Sequence, residues 1–234
     1  MFPIRDDQPT IRTPYVTVAL IIINTLIFLY SQVQGLQGFR VFIAEFGFTP
    51  ALYLDAPPNV QLPGWYLLTP ITSMFLHGGW MHLIGNMLFL WIYGNNIEDY
   101  FGPVKFSLFY LFAGLVAVAL YTLPNMDSRV PLVGASGAIS GVMGAYLVLH
   151  PRAEITCLLF FFFIQFIVLP AKVVLGIWFV YQLLMVLIGD QSGVAYLAHI
   201  GGFVFGWALL WLAVKITGRG GTPRGGQRTY RVQW

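Results

Sequence analysis

Six long apolar stretches leave this chain little choice but a lipid bilayer. They cover residues 15–36, 78–97, 103–123, 134–150, 169–189 and 194–216. A helix needs about 20 such residues to cross a hydrocarbon core about 30 Å thick. Lipid gives backbone groups no partner of its own, so only helices or closed barrels cross it. Charged residues are 9% of the chain and hydrophobic residues 58%. A soluble domain carries about 25% charged residues, so this sequence cannot clothe a water-facing surface. The fold class is therefore all-α: a polytopic membrane bundle of six transmembrane helices.

Two stretches need separate treatment. At 1.5 Å per residue, 134–150 spans roughly 25 Å, so one of its ends is expected to sit below the membrane surface, enclosed by protein. The run "ITCLLFFFFIQFIVL" at 155–169 is apolar, but Arg152 and Glu154 precede it and Pro170 follows. It reads as an interfacial or partly extended segment leading into the fifth span, with a seventh span as the alternative. The first stretch reads as a retained span, because "YSQVQGLQG" after it does not resemble a signal-peptidase site.

Basic residues orient the bundle. With six spans and a cytoplasmic N-terminus, the inside holds Arg5, Arg12, Lys105, Arg152, Lys172, Lys215, Arg219, Arg224, Arg228 and Arg231; the outside holds only Arg40 and Arg129. That asymmetry follows the positive-inside rule and puts both termini in the cytoplasm. The expected organisation is an N-terminal tail (1–14), a membrane domain (15–216) and a basic, disordered tail (217–234). Residues 37–77, rich in aromatics and prolines, form a long outer loop resting in the lipid interface. The Gly/Arg-rich end is read as lying beside anionic lipid rather than as an RGG-type nucleic-acid contact; no nucleic-acid partner is expected. The single cysteine, Cys157, excludes an internal disulfide.

On this topology the second, fourth and sixth spans all run inward, and their polar residues meet near the outer leaflet. His82 and Asn86 in "HLIGN" are four apart and share one helix face. Ser136, in "GASG", opens the fourth span, and His199, in "AHIGG", lies near the start of the sixth. A seventh span would send His199 to the opposite side. Ser136, Ser140 and Gly144 form a stripe, with Gly137 and Gly141 beside it; His199, Gly202 and Gly206 form another. Such stripes let helix backbones approach closely in lipid. Each motif alone has a blander reading: packing for the serine, a satisfied core histidine for His199, an interhelical clamp for His82 with Asn86. His77 and His150 read as interfacial. Together, the polar residues make a nucleophile and its base. Histidine takes the serine proton and later returns it to the leaving amine. Asp127 and Asp190 lie in loops, so a dyad is implied. Asn86, His82 and the backbone N–H of Ser136 are candidate donors to a tetrahedral oxyanion.

With these motifs in this order, the sequence resembles the rhomboid family of intramembrane serine proteases from the first span through the sixth, and its six-span bacterial and archaeal members look closest. The resemblance implies a multi-pass protein of a bacterial or archaeal cell membrane that cleaves single-span transmembrane substrates near the outer boundary, without metal or cofactor. Ser136 would be nucleophile, His199 base, and His82 and Asn86 the oxyanion hole. Gly134 would shape the loop feeding that hole, and Gly202 would pack the sixth helix on the fourth. The fifth helix would be the lateral substrate gate. Two positions depart from the family pattern: Trp65 is followed by Tyr66 rather than arginine, and Ser140 stands where an aromatic often stacks beneath the histidine. Ser140 either orients His199 by a hydrogen bond or bonds its own helix carbonyl at 136. An inactive relative that binds membrane clients is the alternative function. A zinc protease would need H-E-x-x-H, which is absent, and a transporter would show half-helix pairs or an inverted repeat.

Overall fold

The computed structural model describes residues 2–57, 61–160, 163–190 and 192–218. Helix α1 (Tyr15–Val33) leads into the surface helix α2 (Gly35–Phe46), a short α3 (Pro50–Leu54), and α4 (Thr69–Thr72) between two 3₁₀ turns. Then come α5 (Trp80–Phe101), α6 (Pro103–Thr122), α7 (Ser136–Leu149), α8 (Ala171–Leu187) and α9 (Tyr196–Thr217). The six apolar stretches correspond in order to α1, α5, α6, α7, α8 and α9. On length and composition alone, α1, α6 and α9 could cross a membrane, while α7 and α8 are apolar but shorter. Helix α5 has 22 residues, but its last turns carry Asn95, Asn96, Glu98 and Asp99.

Helix α7 is the centre of the bundle. Every residue from Gly137 to Tyr146 is buried, which is why fourteen residues suffice: protein, not lipid, surrounds both ends. Its small residues set the packing against α9. A Cβ on Gly202 would collide with the Gly137 carbonyl oxygen, and one on Gly206 with that of Gly141. The two helices therefore run parallel in near backbone contact.

The sequence does not announce the sheet. Strand β1 (Phe2–Asp6) pairs antiparallel with β2 (Glu154–Phe160), and β2 with β3 (Ile164–Pro170). The run read as interfacial or partly extended is thus a hairpin, in register from Glu154↔Pro170 to Phe160↔Ile164. Part of the segment read as an N-terminal tail is its third strand. Among the described residues the bundle is helical with this sheet added. The expected disorder of the C-terminal tail concerns residues that, from 219 on, lie outside those described.

A polar cluster ties the N-terminal segment to α5 and α7. Glu98 accepts hydrogen bonds from the Val16 and Thr17 amides (2.9 and 2.7 Å) and from the Thr17 hydroxyl (2.8 Å). Asp99 accepts from the Ile11 and Arg12 amides (3.0 and 3.1 Å). The start of α1 has no side-chain cap of its own, so Glu98 from another helix satisfies two amides that would otherwise be orphaned, while Asp99 holds the segment that leads into α1. Asp6 accepts from Tyr146 Oη (2.6 Å) and Asn96 Nδ2 (2.9 Å). Arg5, Arg12, Lys105, Arg152, Lys172 and Lys215 lie toward this end of the bundle; Arg40 and Arg129 lie toward the other.

Candidate active site

At the end of the bundle opposite the sheet, α5, α7 and α9 each present a polar residue from their first turn or two. Ser136 is the first residue of α7 and His199 the fourth of α9. The glycine contacts between these helices set their separation, and at that separation Ser136 Oγ lies 2.8 Å from His199 Nε2. Both residues are half-buried. Both groups can serve as donor or acceptor, and the tautomer of His199 decides the direction.

His199 Nδ1 lies 2.8 Å from Gln182 Oε1, on α8. Gln182 is 3% exposed, and its amide nitrogen donates to the Trp178 carbonyl one turn earlier (3.3 Å). Sequence reasoning missed this residue. The available signal was an amide in an otherwise apolar helix, "VLGIWFVYQLLMVL", since buried amides require partners. The Ser140 hydroxyl donates to the Ser136 carbonyl (2.6 Å), the within-helix alternative. The ring nitrogen that an orienting hydroxyl would hold is engaged by Gln182. An aromatic does lie beside the imidazole, but it comes from α8: the Trp178 ring is 6.0 Å away, tilted by 32°.

His82, near the start of α5, accepts a hydrogen bond at Nδ1 from the Gly78 amide (3.3 Å). That bond leaves the ring proton on Nε2, so Nε2 is a donor. It points at Gly134, two residues before the serine: a Cβ on Gly134 would sit 2.7 Å from His82 Nε2 and 3.5 Å from Ser136 Oγ. Gly134 also has φ +127°, where side chains are strained. Its amide donates to the Ser73 carbonyl (2.9 Å), which pins the loop. Glycine therefore keeps the space between His82 and Ser136 open. Asn86, 7% exposed, donates to its own helix at the His82 carbonyl (3.0 Å). Helix α7 starts without a side-chain cap, and the first amides of a helix have no carbonyl partner within it. His82 Nε2 and the uncapped start of α7 thus flank the space that Gly134 leaves open beside Ser136.

His77 and His150 are both buried rather than exposed at a surface. His77 packs edge-on against His82, with ring centroids 5.1 Å apart. Burial, reinforced by the His82 ring, pushes its pKa down to about 3, so it is a neutral wall behind His82. Among the described residues, no group of three or more His, Cys, Asp or Glu is arranged to hold a metal ion.

A family model described as "Rhomboid domain" matches residues 64–216, well over half of the chain and every residue of the site. RHOMBOID-like protein 4 of Arabidopsis thaliana is 37% identical over 150 residues, 62% of this chain and 33% of that protein. Rhomboid protease GluP of Bacillus subtilis is 34% identical over 135 residues, 57% of this chain and 24% of that protein. Putative rhomboid protease YdcA, from the same bacterium, is 28% identical over 163 residues, 64% of this chain and 68% of that protein. The chain matches only about a third to a half of the length of the first plant relatives.

Proposed function

The chain belongs to the rhomboid family, and from that premise we propose that this integral membrane protein is a serine endopeptidase that cleaves single-span transmembrane substrates near the outer membrane boundary. The observation that carries this reading is the 2.8 Å approach of Ser136 Oγ to His199 Nε2. A serine hydroxyl is a poor nucleophile at neutral pH; a neutral imidazole at hydrogen-bond distance removes its proton as the oxygen attacks.

The steps follow from the groups at hand. Ser136 Oγ bonds to the scissile carbonyl carbon as its proton passes to His199 Nε2. The carbonyl oxygen becomes an oxyanion, facing His82 Nε2–H, the remaining Asn86 amide hydrogen and the Ser136 backbone N–H. As the tetrahedral carbon collapses, the C–N bond breaks and the imidazolium gives its proton to the leaving amine. His199 then takes a proton from a water whose oxygen bonds to the acyl carbon, and it gives that proton to Ser136 Oγ as the ester C–O bond breaks. No step calls for a metal or cofactor.

The placement near the outer boundary rests on charge. The described basic residues assigned to the inside lie toward the sheet end and Arg40 and Arg129 toward the site end, as cytoplasmic termini would require. Gly137 and Gly202 serve by closing the α7–α9 interface, and Gly134 by clearing the hole.

The test is labelling and turnover together. Wild-type protein in proteoliposomes should react with a fluorophosphonate probe and cleave a single-span substrate, also in EDTA; Ser136→Ala should do neither. Undiminished cleavage by Ser136→Ala would refute the assignment. Binding of the substrate without labelling or cleavage by the wild type would favour a client-binding relative instead.

A further inference from the structure

We propose that Gln182 is a positioning residue for the general base: its side-chain oxygen holds the Nδ1–H of His199 and so presents the lone pair of Nε2 to Ser136. This rests on the protease reading and adds a third, neutral member to its Ser–His pair.

The direction of each bond follows from the one before it. Gln182 Nε2 donates to the Trp178 carbonyl (3.3 Å). A carbonyl only accepts, so the amide nitrogen belongs on that side and Oε1 faces the imidazole, 2.8 Å from Nδ1. An amide oxygen also only accepts, so Nδ1 carries the ring proton. Nε2, 2.8 Å from Ser136 Oγ, is then the acceptor a general base must be. With the amide reversed, Nδ1 would accept, Nε2 would carry the proton, and the imidazole would donate to the serine instead of drawing its proton away. The backbone carbonyl of α8 thus selects the tautomer two hydrogen bonds away.

Helix α8 is built to deliver this one group. Gln182 is 3% exposed, while its neighbours Tyr181, Leu183 and Leu184 are 49%, 39% and 49% exposed. Burying an amide among apolar side chains is costly unless it is paired, and the pairing here is with the site. Tyr196, three residues before His199, donates to the Asp190 carboxylate just beyond α8 (2.8 Å). Ser140, bonded to the Ser136 carbonyl, leaves Nδ1 to Gln182. Unlike a carboxylate, an amide brings no charge; it orients the imidazole without adding a negative charge beside it.

The experiment compares Gln182→Met, which fills the volume with only a weakly accepting sulfur, with Gln182→Glu, which keeps an accepting oxygen whether ionised or protonated. In cleavage of a single-span substrate, Gln182→Met should lower kcat about tenfold, the rate equivalent of one neutral hydrogen bond, with KM and thermal stability in detergent little changed. Gln182→Glu should restore most of the loss. Nitrogen-15 spectra of histidine-labelled protein, with the His199 signal identified by its loss in His199→Asn, should show the proton on Nδ1 in the wild type and a mixed tautomer in Gln182→Met. Wild-type kcat in Gln182→Met, or an unaltered tautomer in that variant, would overturn the proposal. Cleavage surviving Ser136→Ala would instead overturn the protease reading. The spectra would then still decide whether Gln182 holds His199.

Discussion

Gly202 on α9 faces the carbonyl oxygen of Gly137 on α7 with no room for a methyl group between them. Gly202 lies three residues after His199 and Gly137 one residue after Ser136, so the same contact that joins the helices sets the reach of the Ser136–His199 pair. Gly202→Ala must push the backbones apart. Overpacking of this kind costs about 1–3 kcal/mol, and a hydrogen bond of 2.8 Å does not survive a shift of an ångström. The expected result is a folded protein of lower melting temperature whose kcat falls by at least tenfold. Melting curves with cleavage assays check it; full activity in Gly202→Ala would mean the pair is held by something else.

The proposed oxyanion hole makes a separate prediction. In that mechanism the second hydrogen of the buried Asn86 amide is needed most when charge develops on the substrate oxygen. Loss of one such donor typically costs about 2.7–4 kcal/mol in kcat; His82 and the start of α7 share the task, so the lower end is expected. Asn86→Ala should lower kcat and leave KM nearly unchanged. A change confined to KM would make Asn86 a substrate-binding residue.

Ser140 should matter little to the chemistry. Its hydroxyl is committed to the Ser136 carbonyl, a local bond that does not depend on His199. Ser140→Ala keeps the interface thin and should show kcat/KM within about twofold of wild type, against about tenfold for Gln182→Met. A large loss in Ser140→Ala, measured across pH, would return the orienting role to the serine.

Asp6 gives the sheet end a pH response. Burial, together with the charge of Asp7 and against the Tyr146 hydrogen bond, pushes its pKa up to about 6. Its pKa in the unfolded chain is about 3.9. Between these values the folded state holds the proton more often, so stability rises as protons are added. The contribution is fully present below about pH 4 and is lost as pH rises through 6. Asp6→Asn keeps an acceptor for Tyr146 and removes the titration. The melting-temperature gap, Asp6→Asn minus wild type, should widen from pH 4.5 to 7.5. A gap independent of pH would show that Asp6 is not titrating there.

The bundle was legible because lipid imposes a coarse code. Runs near 20 residues mark helices, and parity together with charge placed Ser136, His82 and His199 at one end before any distance was known. Two features were not legible, for different reasons. The hairpin at 154–170 carries an apolar run without a usable period, and its pairing partner β1 lies at the far end of the chain; Pro3 faces Cys157 across the sheet. Gln182 was present as an amide in an apolar helix. Which residue an amide meets depends on how α8 is rotated against α9, and neither spacing nor composition encodes that angle. The hydrogen-bond partners of Ser140 and Gln182 are therefore set by packing.

The cap that Glu98 places on the beginning of α1 has a consequence for how the protein is made. The amide of Thr17 finds its acceptor 81 residues later in the chain. At about 5–20 residues per second, synthesis needs roughly 4–16 s to supply it. Until then the first helix has an open end, and the nascent chain holds an apolar segment whose leading turn is unfinished. The second long helix completes the first by arriving, so these two elements must be delivered as a pair before the buried helix α7 has walls to enter.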